Sequence, residues 1–347
     1  ILDEPTAALN DHDSDHLLNL MQELRDQGVT CIVISHKLGE VIRVADAVTV
    51  LRDGQVVETM YADRDEITEA RIIKGMVGRE MNSRFPPRAP KLGNEAFRLE
   101  NWTVCHPVDP ARKVVDSANL SVRRGEIVGL AGLMGAGRTE MAMSMFGRTY
   151  GGGVTGRVFL GGRAVPTRTV RQAVSHGIAY VSEDRKRHGL NLIQSVRENM
   201  TVAGLRQLAR IGVIEAGAET AVAERLRREL AVKTHSVEVA VSKLSGGNQQ
   251  KVALAKWVYT NPEVLILDEP TRGIDIGAKY EIYEIINQLA QAGKAVLVIS
   301  SELPELLGIC DRIYAISAGR ITGDVPKGQA TQEKLMTLMT LESKDQS

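Results

Sequence analysis

The hexapeptide Ile-Leu-Asp-Glu-Pro-Thr occurs twice in this chain, at residues 1–6 and again at residues 266–271. The match continues without a gap, because Val33-Ile34-Ser35 aligns with Val298-Ile299-Ser300 at the same offset of 265 residues. A fixed offset over such a length indicates two copies of one domain. The first copy begins on what should be a buried strand in the middle of that domain. We therefore expect the chain to be the C-terminal part of a longer protein, truncated at its N-terminus.

The composition excludes several classes of protein. Lys plus Arg and Asp plus Glu both number 43, so the net charge is zero and a nucleic-acid-binding domain built on bulk positive charge is excluded. Cys31, Cys105 and Cys310 have no CxxC spacing and are predicted to be reduced core residues rather than metal ligands or disulfides. The longest apolar runs, such as Ala295–Ile299, are far shorter than the about 20 residues of a membrane helix. Any membrane role is therefore expected to act through a partner.

The pattern of apolar residues divides the chain into three parts. Residues 1–80 are predicted to be the C-terminal remnant of an α/β domain, and residues 81–94, which contain three prolines, a short stiff linker. Residues 95–345 are predicted to form a complete second domain, with a helical subdomain at about 190–250 where Glu, Arg, Leu and Ala are abundant. Elsewhere in this domain β-branched runs alternate with helical segments, which indicates a mainly parallel sheet covered by helices.

A glycine-rich segment in the second domain has the spacing of a phosphate-binding loop. It follows a predicted strand, opens a predicted helix and matches the pattern GxxxxGK[ST], except that arginine replaces the lysine. In such a loop the glycines let backbone N–H groups converge on phosphate oxygens, and the helix N-terminus adds partial positive charge. The alternative is a structural strand–helix connection, but an Asp-Glu pair after a later strand favours nucleotide binding. The predicted nucleotide-binding residues are Gly132, Gly135, Ala136, Gly137, Arg138 and Thr139.

The pair Asp268-Glu269 supplies the second half of the predicted site. It ends an apolar run of strand type. In folds of this kind such an aspartate anchors Mg²⁺ together with a hydroxyl like that of Thr139, and the next glutamate polarises the attacking water. Arg138 matters because a planar guanidinium binds phosphate from farther out than the compact ammonium of lysine. Asp268 and Thr139 are therefore the predicted metal ligands, and Glu269 is a predicted catalytic residue.

The segment Leu244–Gln250 (LSGGNQQ) is the most specific string in the chain and resembles the signature of ATP-binding-cassette ATPases. In that family the Ser-Gly-Gly segment opens a helix whose N-terminus faces the γ-phosphate bound on the opposite domain. The alternative is an ordinary turn before a helix. The resemblance implies ATP and Mg²⁺ as cofactors and a P-loop α/β fold with an antiparallel N-terminal subdomain. It also implies nucleotide contacts from Ser245, Gly246, Gly247, Asn248 and Gln249.

Further segments narrow the resemblance to the second half of the tandem ATPase subunits of bacterial monosaccharide importers, the ribose, xylose, galactose and arabinose class. Met141–Gly147 with Lys256-Trp257 favours the xylose or multiple-monosaccharide branch. The resemblance covers essentially the whole chain. The segments that carry it are Gly132–Glu140 (GLMGAGRTE), Glu183–Arg187 (EDRKR), Leu244–Lys251 (LSGGNQQK), Leu267–Asp275 (LDEPTRGID) and Ile299–Glu305 (ISSELPE).

Compared with that family, the nucleotide site of the second domain departs from the usual pattern at three positions. Arg138 replaces the lysine, Glu183 stands where the family has a glutamine that contacts Mg²⁺ and water, and Ser301 stands where the first copy has His36. Serine cannot reach a γ-phosphate as an imidazole does, and the Glu183 carboxylate adds negative charge beside phosphate. We expect this site, with Glu183 as one of its contacts, to bind ATP with weak or no turnover.

The first copy has the complementary set of residues. The resemblance implies Asp3 as a Mg²⁺ ligand, Glu4 as the general base and His36 as the γ-phosphate sensor, with Asn10 in place of an aspartate as a small departure. Cassettes of this family pair head to tail. The competent site would therefore combine these residues with Ser245–Gln249 of the second domain.

The resemblance also implies partners and a location. A sugar permease in the bacterial inner membrane would hold the protein at the cytoplasmic face, with a periplasmic or extracellular sugar-binding protein as an indirect partner and no nucleic acid. The alternative is a soluble tandem-cassette ATPase that acts on ribosomes or DNA; such proteins usually keep two intact sites. Residues of about 185–202 are expected to contact the permease, unless their apolar members pack the helical subdomain instead: Leu190, Leu192, Ile193 and Val196.

Overall fold

The structure is a computed structural model that describes residues 1–6, 9, 11–35, 37–52, 54–77, 84–210 and 212–341. His36 and Asn10 lie outside the described residues. The chain forms two compact units, unit 1 (Ile1–Arg84 with Asp275–Lys279) and unit 2 (Phe85–Ile274 with Tyr280–Ser347). Within the described part of the chain, no helix is both long enough and apolar enough to cross a membrane.

Unit 1 is built of short strands and helices. Its elements are β1 (Leu2–Asp3), α1 (Asp11–Asp26), β2 (Val33–Ile34), α2 (Leu38–Val44), β3 (Ala47–Arg52), β4 (Gln55–Tyr61) and α3 (Glu69–Val77). β1 pairs in parallel with β2, and β3 forms an antiparallel hairpin with β4. The hairpin and the helices share a small apolar core, which consists of Leu38, Val48, Val50, Met60, Ile72 and Ile73.

The remaining elements follow in chain order. Up to the helical part they are β5 (Glu95–Cys105), β6 (Lys113–Arg123), β7 (Ile127–Gly132), α4 (Arg138–Met145), β8 (Gly152–Leu160), β9 (Arg163–Val165), α5 (Val170–Ser175) and β10 (Ile178–Val181). Next come α6 (Val196–Thr201), β11 (Ala209–Arg210), β12 (Val213–Ile214), α7 (Ala216–Glu229) and α8 (Gly246–Val258). The last are β13 (Val264–Asp268), α9 (Ile276–Gln291), β14 (Ala295–Ile299), α10 (Leu303–Ile309), β15 (Arg312–Ser317), β16 (Arg320–Pro326) and α11 (Gln332–Met339).

A six-stranded sheet forms the centre of unit 2. Its strand order is β10-β13-β14-β7-β15-β16, and only the edge pair β15–β16 is antiparallel. β7, β13 and β14 are buried along their whole length, which explains their unbroken runs of Val, Ile, Leu, Ala and Gly. The mainly parallel α/β fold predicted from the sequence is therefore confirmed.

A second, antiparallel sheet packs on the same core. Its strand order is β6-β5-β8-β9, as the resemblance implied for the N-terminal subdomain. Trp102 of β5 is buried, and its indole N–H donates a hydrogen bond of 2.9 Å to Oγ of Ser144 in α4. Because α4 follows the glycine-rich loop directly, this buried bond helps to fix the position of the loop.

The segment between β10 and β13 is mostly helical. It contains α6, α7 and α8, together with the small hairpin β11–β12, which the sequence analysis did not predict. Glu219 of α7 is buried, forms an ion pair with Arg197 of α6 and accepts a hydrogen bond of 2.7 Å from the hydroxyl of Thr201. These contacts hold α6 and α7 together.

The two copies of the repeat have the same local structure. β1 pairs with β2 in the register in which β13 pairs with β14. The glutamate after each strand has a positive φ, 44° at Glu4 and 47° at Glu269. The amide of Glu4 donates to the carbonyl of Ile34 and that of Glu269 to the carbonyl of Ile299, each at 2.8 Å. The repeat inferred from the hexapeptide is therefore confirmed.

Equivalent side chains of the two copies differ in burial. Ile34 and Leu51 are 53% and 62% exposed, whereas their counterparts Ile299 and Ile316 are fully buried. In unit 2, β7 lies between β14 and β15, while among the described residues of unit 1 no strand lies between β2 and β3. The neighbouring strand, and not the side chain itself, decides whether these positions are covered.

The proline-containing segment that begins unit 2 is anchored to it by two side chains. The Phe85 ring packs on Tyr283 with a centroid distance of 5.4 Å and lies where Gly308 leaves room for it. The buried Arg88 guanidinium contacts the Asp311 carboxylate at 2.6 Å and donates to the carbonyl of Gly125 at 2.7 Å. This part of the predicted linker is therefore an ordered part of unit 2.

Candidate functional site

The loop between β7 and α4 has a backbone that requires glycine at two positions. Gly137 has a φ of 98°, and a Cβ there would lie 2.3 Å from the carbonyl oxygen of Val114. A Cβ on Gly132 would lie 2.7 Å from Cγ2 of Ile316. The N–H groups of the first turn of α4 point back into the loop, as in phosphate-binding loops. This one turn and the start of α4 contain Gly132, Gly135, Ala136, Gly137, Arg138 and Thr139.

Asp268 lies fully buried at the end of β13. Oδ2 accepts a hydrogen bond of 2.9 Å from the phenol of Tyr180 in β10, and the nearby Thr139 hydroxyl also stabilises the charged carboxylate. Oδ1 is buried and has no hydrogen-bond partner among the described residues. Burial raises the pKa of Asp268 to about 6, against the lowering effect of the two hydroxyls and of Arg138.

This arrangement fits a magnesium ion. An open carboxylate oxygen beside a threonine hydroxyl provides two hard oxygen ligands, and Mg²⁺ is usually held by one or two carboxylates plus substrate phosphates. No group of three or more His, Cys, Asp or Glu suited to a metal occurs in the described parts of the chain. Thr139 and Asp268 can therefore serve Mg²⁺ together with a phosphate ligand rather than as an all-protein cage.

Glu269 is tied to the glycine-rich loop by an ion pair. Its Oε1 lies 3.6 Å from Nη1 of Arg138, and its Oε2 accepts a hydrogen bond of 3.2 Å from the Ser301 hydroxyl. Burial raises the pKa of Glu269 to about 7, although Arg138 and Ser301 act in the opposite direction. Nη1 of Arg138 is buried without a hydrogen bond in the described structure. The Arg138 guanidinium of the loop thus faces Glu269, the predicted general base.

Glu183 follows β10 and forms an ion pair with Arg272. It lies at the mouth of a cavity of about 320 Å³. Beside Lys256 the cavity has an apolar wall of Met143, Phe146, Tyr180 and Trp257, and its other lining residues are Thr139, Thr149, Ser182, Asp184 and His188. The Lys256 ammonium lies 4.9 Å from the Trp257 ring centre, and burial lowers its pKa to about 8.

The predicted signature segment opens a helix. Ser245 is the N-cap residue of α8, and Gly246 and Gly247 form its first turn. The Asn248 amide donates to Oγ of Ser245 at 2.9 Å and accepts from the amide of Lys233 at 2.8 Å. The Gln249 side chain is buried and donates to two backbone carbonyls, so its place is behind the turn rather than on its exposed face.

The residues of the first copy lie in unit 1. Asp3 ends β1, and Glu4 follows it with its positive φ. Both side chains are exposed, in contrast to the buried Asp268. Thr6 donates a hydrogen bond of 2.6 Å to Glu40, and its counterpart Thr271 donates one of 2.7 Å to Glu305, so the two copies also share this bond.

Two residues of the site could not be recognised from the sequence alone. Tyr180 and Lys256 were not predicted, although a lysine inside the apolar stretch of α8 is a signal for a special environment. Four apolar residues were expected either to contact a permease or to pack within the helical subdomain. Two of them, Leu190 and Val196, are buried within unit 2, which agrees with the second alternative. Ile193 is 86% exposed.

Comparisons with known proteins agree with the motifs. The sequence model of the ABC transporter family matches residues 115–272. The L-arabinose transport ATP-binding protein AraG of Geobacillus stearothermophilus is 57% identical over 98% of this chain and 66% of its own length. The xylose import ATP-binding protein XylG of Thermoanaerobacter pseudethanolicus is 48% identical over 98% of this chain and 67% of its own length. The chain thus spans about two thirds of the length of the curated relatives it matches.

Solved structures agree with the fold. A nucleotide-free ATP-binding cassette from an ABC transporter has a TM-score of 0.59 at 19% identity, covering 72% of this chain and 100% of its own. An ATP-binding cassette in a dimeric post-hydrolysis state, bound to ADP and phosphate, has a TM-score of 0.57 at 20% identity, covering 67% of this chain and 98% of its own. These similarities support the P-loop α/β fold.

Replacing Asp268 with Asn is expected to stabilise unit 2 in the absence of nucleotide at pH 8. The folded pKa of about 6 exceeds the ordinary aspartate pKa of 3.8, so the folded state binds more protons between these values and loses stability as pH rises. Above pH 6 the free energy of unfolding is lower by roughly 3 kcal/mol. The neutral amide of asparagine avoids this loss. Thermal unfolding followed by tryptophan fluorescence reports on unit 2, because both tryptophans, Trp102 and Trp257, lie there.

The exposed Asp109→Asn is the matched control and should melt like the wild type. The stabilisation by Asp268→Asn should shrink as the pH is lowered toward 4. If the Asp268→Asn variant melts at or below the wild-type temperature at pH 8, the ionised Asp268 carboxylate does not destabilise the folded protein.

Proposed function

Because the chain belongs to the family of ATP-binding-cassette transporter ATPases, we propose that it is the energising subunit of a bacterial monosaccharide importer. In this role ATP binding closes paired cassette domains, hydrolysis opens them, and a separate membrane permease converts the cycle into sugar movement. The observation that carries the proposal is the buried Asp268 with an open oxygen beside Thr139, at the phosphate loop. The permease would hold the protein at the cytoplasmic face of the cell membrane.

We propose a pentose as the transported sugar. The relatives are named for L-arabinose and xylose, and the L-arabinose protein is the more similar of the two reported. L-arabinose is therefore the first substrate to test. Since these relatives are named for sugar transport, the rival function on ribosomes or DNA has no support.

The nucleotide site of unit 2 is proposed to bind ATP·Mg²⁺ with weak turnover. The backbone N–H groups of the loop would bind the phosphates, while Thr139 and Asp268 would hold Mg²⁺, which supplies positive charge there. Glu269 is proposed to be a restrained base in this setting, because the Arg138 guanidinium pairs with its carboxylate. Ser301 is too short to act as the γ-phosphate sensor.

The first copy is proposed to supply the competent catalytic residues, Asp3, Glu4 and His36. The N-terminus of α8, at Ser245 and Gly246, is proposed to serve the γ-phosphate bound on a paired cassette. Its partial positive charge and free first-turn N–H groups suit an anion. Asn248 supports this role because its amide holds Oγ of Ser245 at the helix entrance.

The apolar cavity beside Glu183 is proposed as the docking site for a cytoplasmic helix of the permease. An apolar side chain from that helix would cover Met143, Phe146 and Trp257. The location supports this occupant, because the cavity also touches Thr139 and Glu183 of the nucleotide site. A partner seated there would contact the elements that bind the phosphates.

Replacing Ser245 with Arg should abolish uptake of radiolabelled L-arabinose in cells that carry this protein with its permease and binding protein. The added side chain would block the helix N-terminus, and loss of one donor site for a developing anion costs roughly 10²-fold or more in rate. The same change at the exposed Ser175, at the end of α5, is the control and should leave uptake intact. Normal uptake by the Ser245 variant would contradict the proposed role of the signature segment.

Replacing Met143 with Glu should weaken co-purification of the permease about tenfold, because a carboxylate would then face the apolar helix. ATP binding measured by calorimetry should persist, since Met143 is not a loop residue. Met336→Glu on the outer helix α11 is the control. His188→Trp, which would narrow the cavity at an exposed lining residue, should weaken co-purification to the same extent without adding a charge. Full co-purification by both cavity variants would exclude this docking site.

A further inference from the structure

Glu183 and Asp184 are followed by a short π-helical turn, Arg185–Gly189, whose backbone is held by side chains outside the turn. Asp184 accepts hydrogen bonds of 3.0 Å from the amides of Lys186 and Arg187. At the far end the Lys256 ammonium of α8 donates to the carbonyl of Gly189 at 2.5 Å. The turn is therefore held at both ends, by Asp184 and by Lys256 of α8.

Arg185 is the member of this turn that points inward. Its Nη1 donates to the carbonyl of Arg272 at 2.8 Å and its Nη2 to the carbonyl of Gly273 at 3.3 Å. A Cβ placed on Gly246, the first residue of α8, would lie 3.0 Å from the same Nη2. The guanidinium thus lies between the turn after Glu269 and the beginning of the signature helix.

Lys186 and Arg187, which follow Arg185 in the sequence, do not lie between these two elements. Arg187 is 83% exposed on its side chain and contacts only Asp184, at 3.8 Å, among the ion pairs found in the described structure. Lys186 is also exposed. Nε of Arg185 is buried without a hydrogen-bond partner in the described residues, and burial lowers the pKa of this arginine. One half-buried cation bound to two backbone carbonyls in a run of three indicates a specific task.

We propose that Arg185 is a positioning residue that couples residues 183–189, beside the proposed docking cavity, to the turn after the predicted base and to the signature helix. The inference rests on the proposed function. The amide of Arg272 donates to the carbonyl of Glu269 at 3.2 Å, so the turn held by Arg185 begins at Glu269. A planar guanidinium with fixed donors transmits displacement to both carbonyls at once. Movement of residues 183–189 on permease docking is thereby carried to Glu269 and Gly246.

The first test measures local structure in the chain itself. Hydrogen exchange of the amides of residues 272–274 and 246–248 should become at least about fivefold faster in Arg185→Ala, because an anchored turn opens more readily when its anchor is removed. Arg187→Ala and Lys186→Ala remove the same charge and should exchange like the wild type. Equal exchange in Arg185→Ala and Arg187→Ala would overturn the positioning role.

The second test measures coupling in vesicles that contain the ATPase, its permease and its binding protein. The ratio of sugar transported to ATP hydrolysed should fall about fivefold or more in Arg185→Ala, the range of a coupling free energy between two sites. Arg185→Lys should recover part of it, since one donor can still reach one carbonyl, and Arg187→Ala should keep the full ratio. ATP affinity should stay at the wild-type value in all variants.

A wild-type ratio in Arg185→Ala, or a loss of ATP affinity equal to the loss of coupling, would overturn the inference. Failure of the proposed function would give a different experimental result. It would be seen in the wild type, as ATP hydrolysis that does not respond to any sugar-loaded binding protein. In that case the exchange measurement still decides whether Arg185 positions the turn.

Discussion

The burial of one carboxylate organises the candidate site. Asp268 ends a strand that is buried along its whole length and flanked by β10 and β14, so its charge is removed from water. Two hydroxyls, from Tyr180 and Thr139, partly compensate for that burial. The remaining open oxygen is the feature that a magnesium ion with its phosphate ligands would satisfy. The position of Thr139, and with it the start of α4, follows from the same requirement.

The same edge of the sheet carries two of the departures from the family's usual pattern. Because the carboxyl ends of parallel strands meet at one edge, Glu269 at the end of β13 and Ser301 after β14 lie side by side at 3.2 Å. Arg138 approaches them from the loop and pairs with Glu269. A lysine could serve the phosphates without this contact, whereas the longer guanidinium reaches the carboxylate. Two of the three departures found in the sequence, Arg138 and Ser301, therefore act at one place, on Glu269.

Much of the fold could be predicted from the sequence, because its signals are local. The loop glycines, the Ser245 cap and the apolar strands each follow from residue type and spacing, and the hexapeptide repeat fixed the equivalence of Glu4 and Glu269. Contacts between distant segments could not be predicted in this way. The bond from Arg185 to the carbonyls of residues 272 and 273 joins positions almost ninety apart in the chain. A charged run such as Arg185–Arg187 usually indicates a solvated face, and nothing local marks its first member as half-buried and bound to distant carbonyls.

The two glutamates of the repeat are proposed to have unequal roles, Glu4 as the working base and Glu269 as a residue restrained by Arg138. Single-turnover ATP hydrolysis by the assembled transporter tests this proposal with the same substitution at equivalent positions, Glu4→Gln and Glu269→Gln. The account predicts a loss of about 10²-fold or more for Glu4→Gln and a rate close to that of the wild type for Glu269→Gln. Equal losses for both variants, or a loss confined to Glu269→Gln, would contradict it.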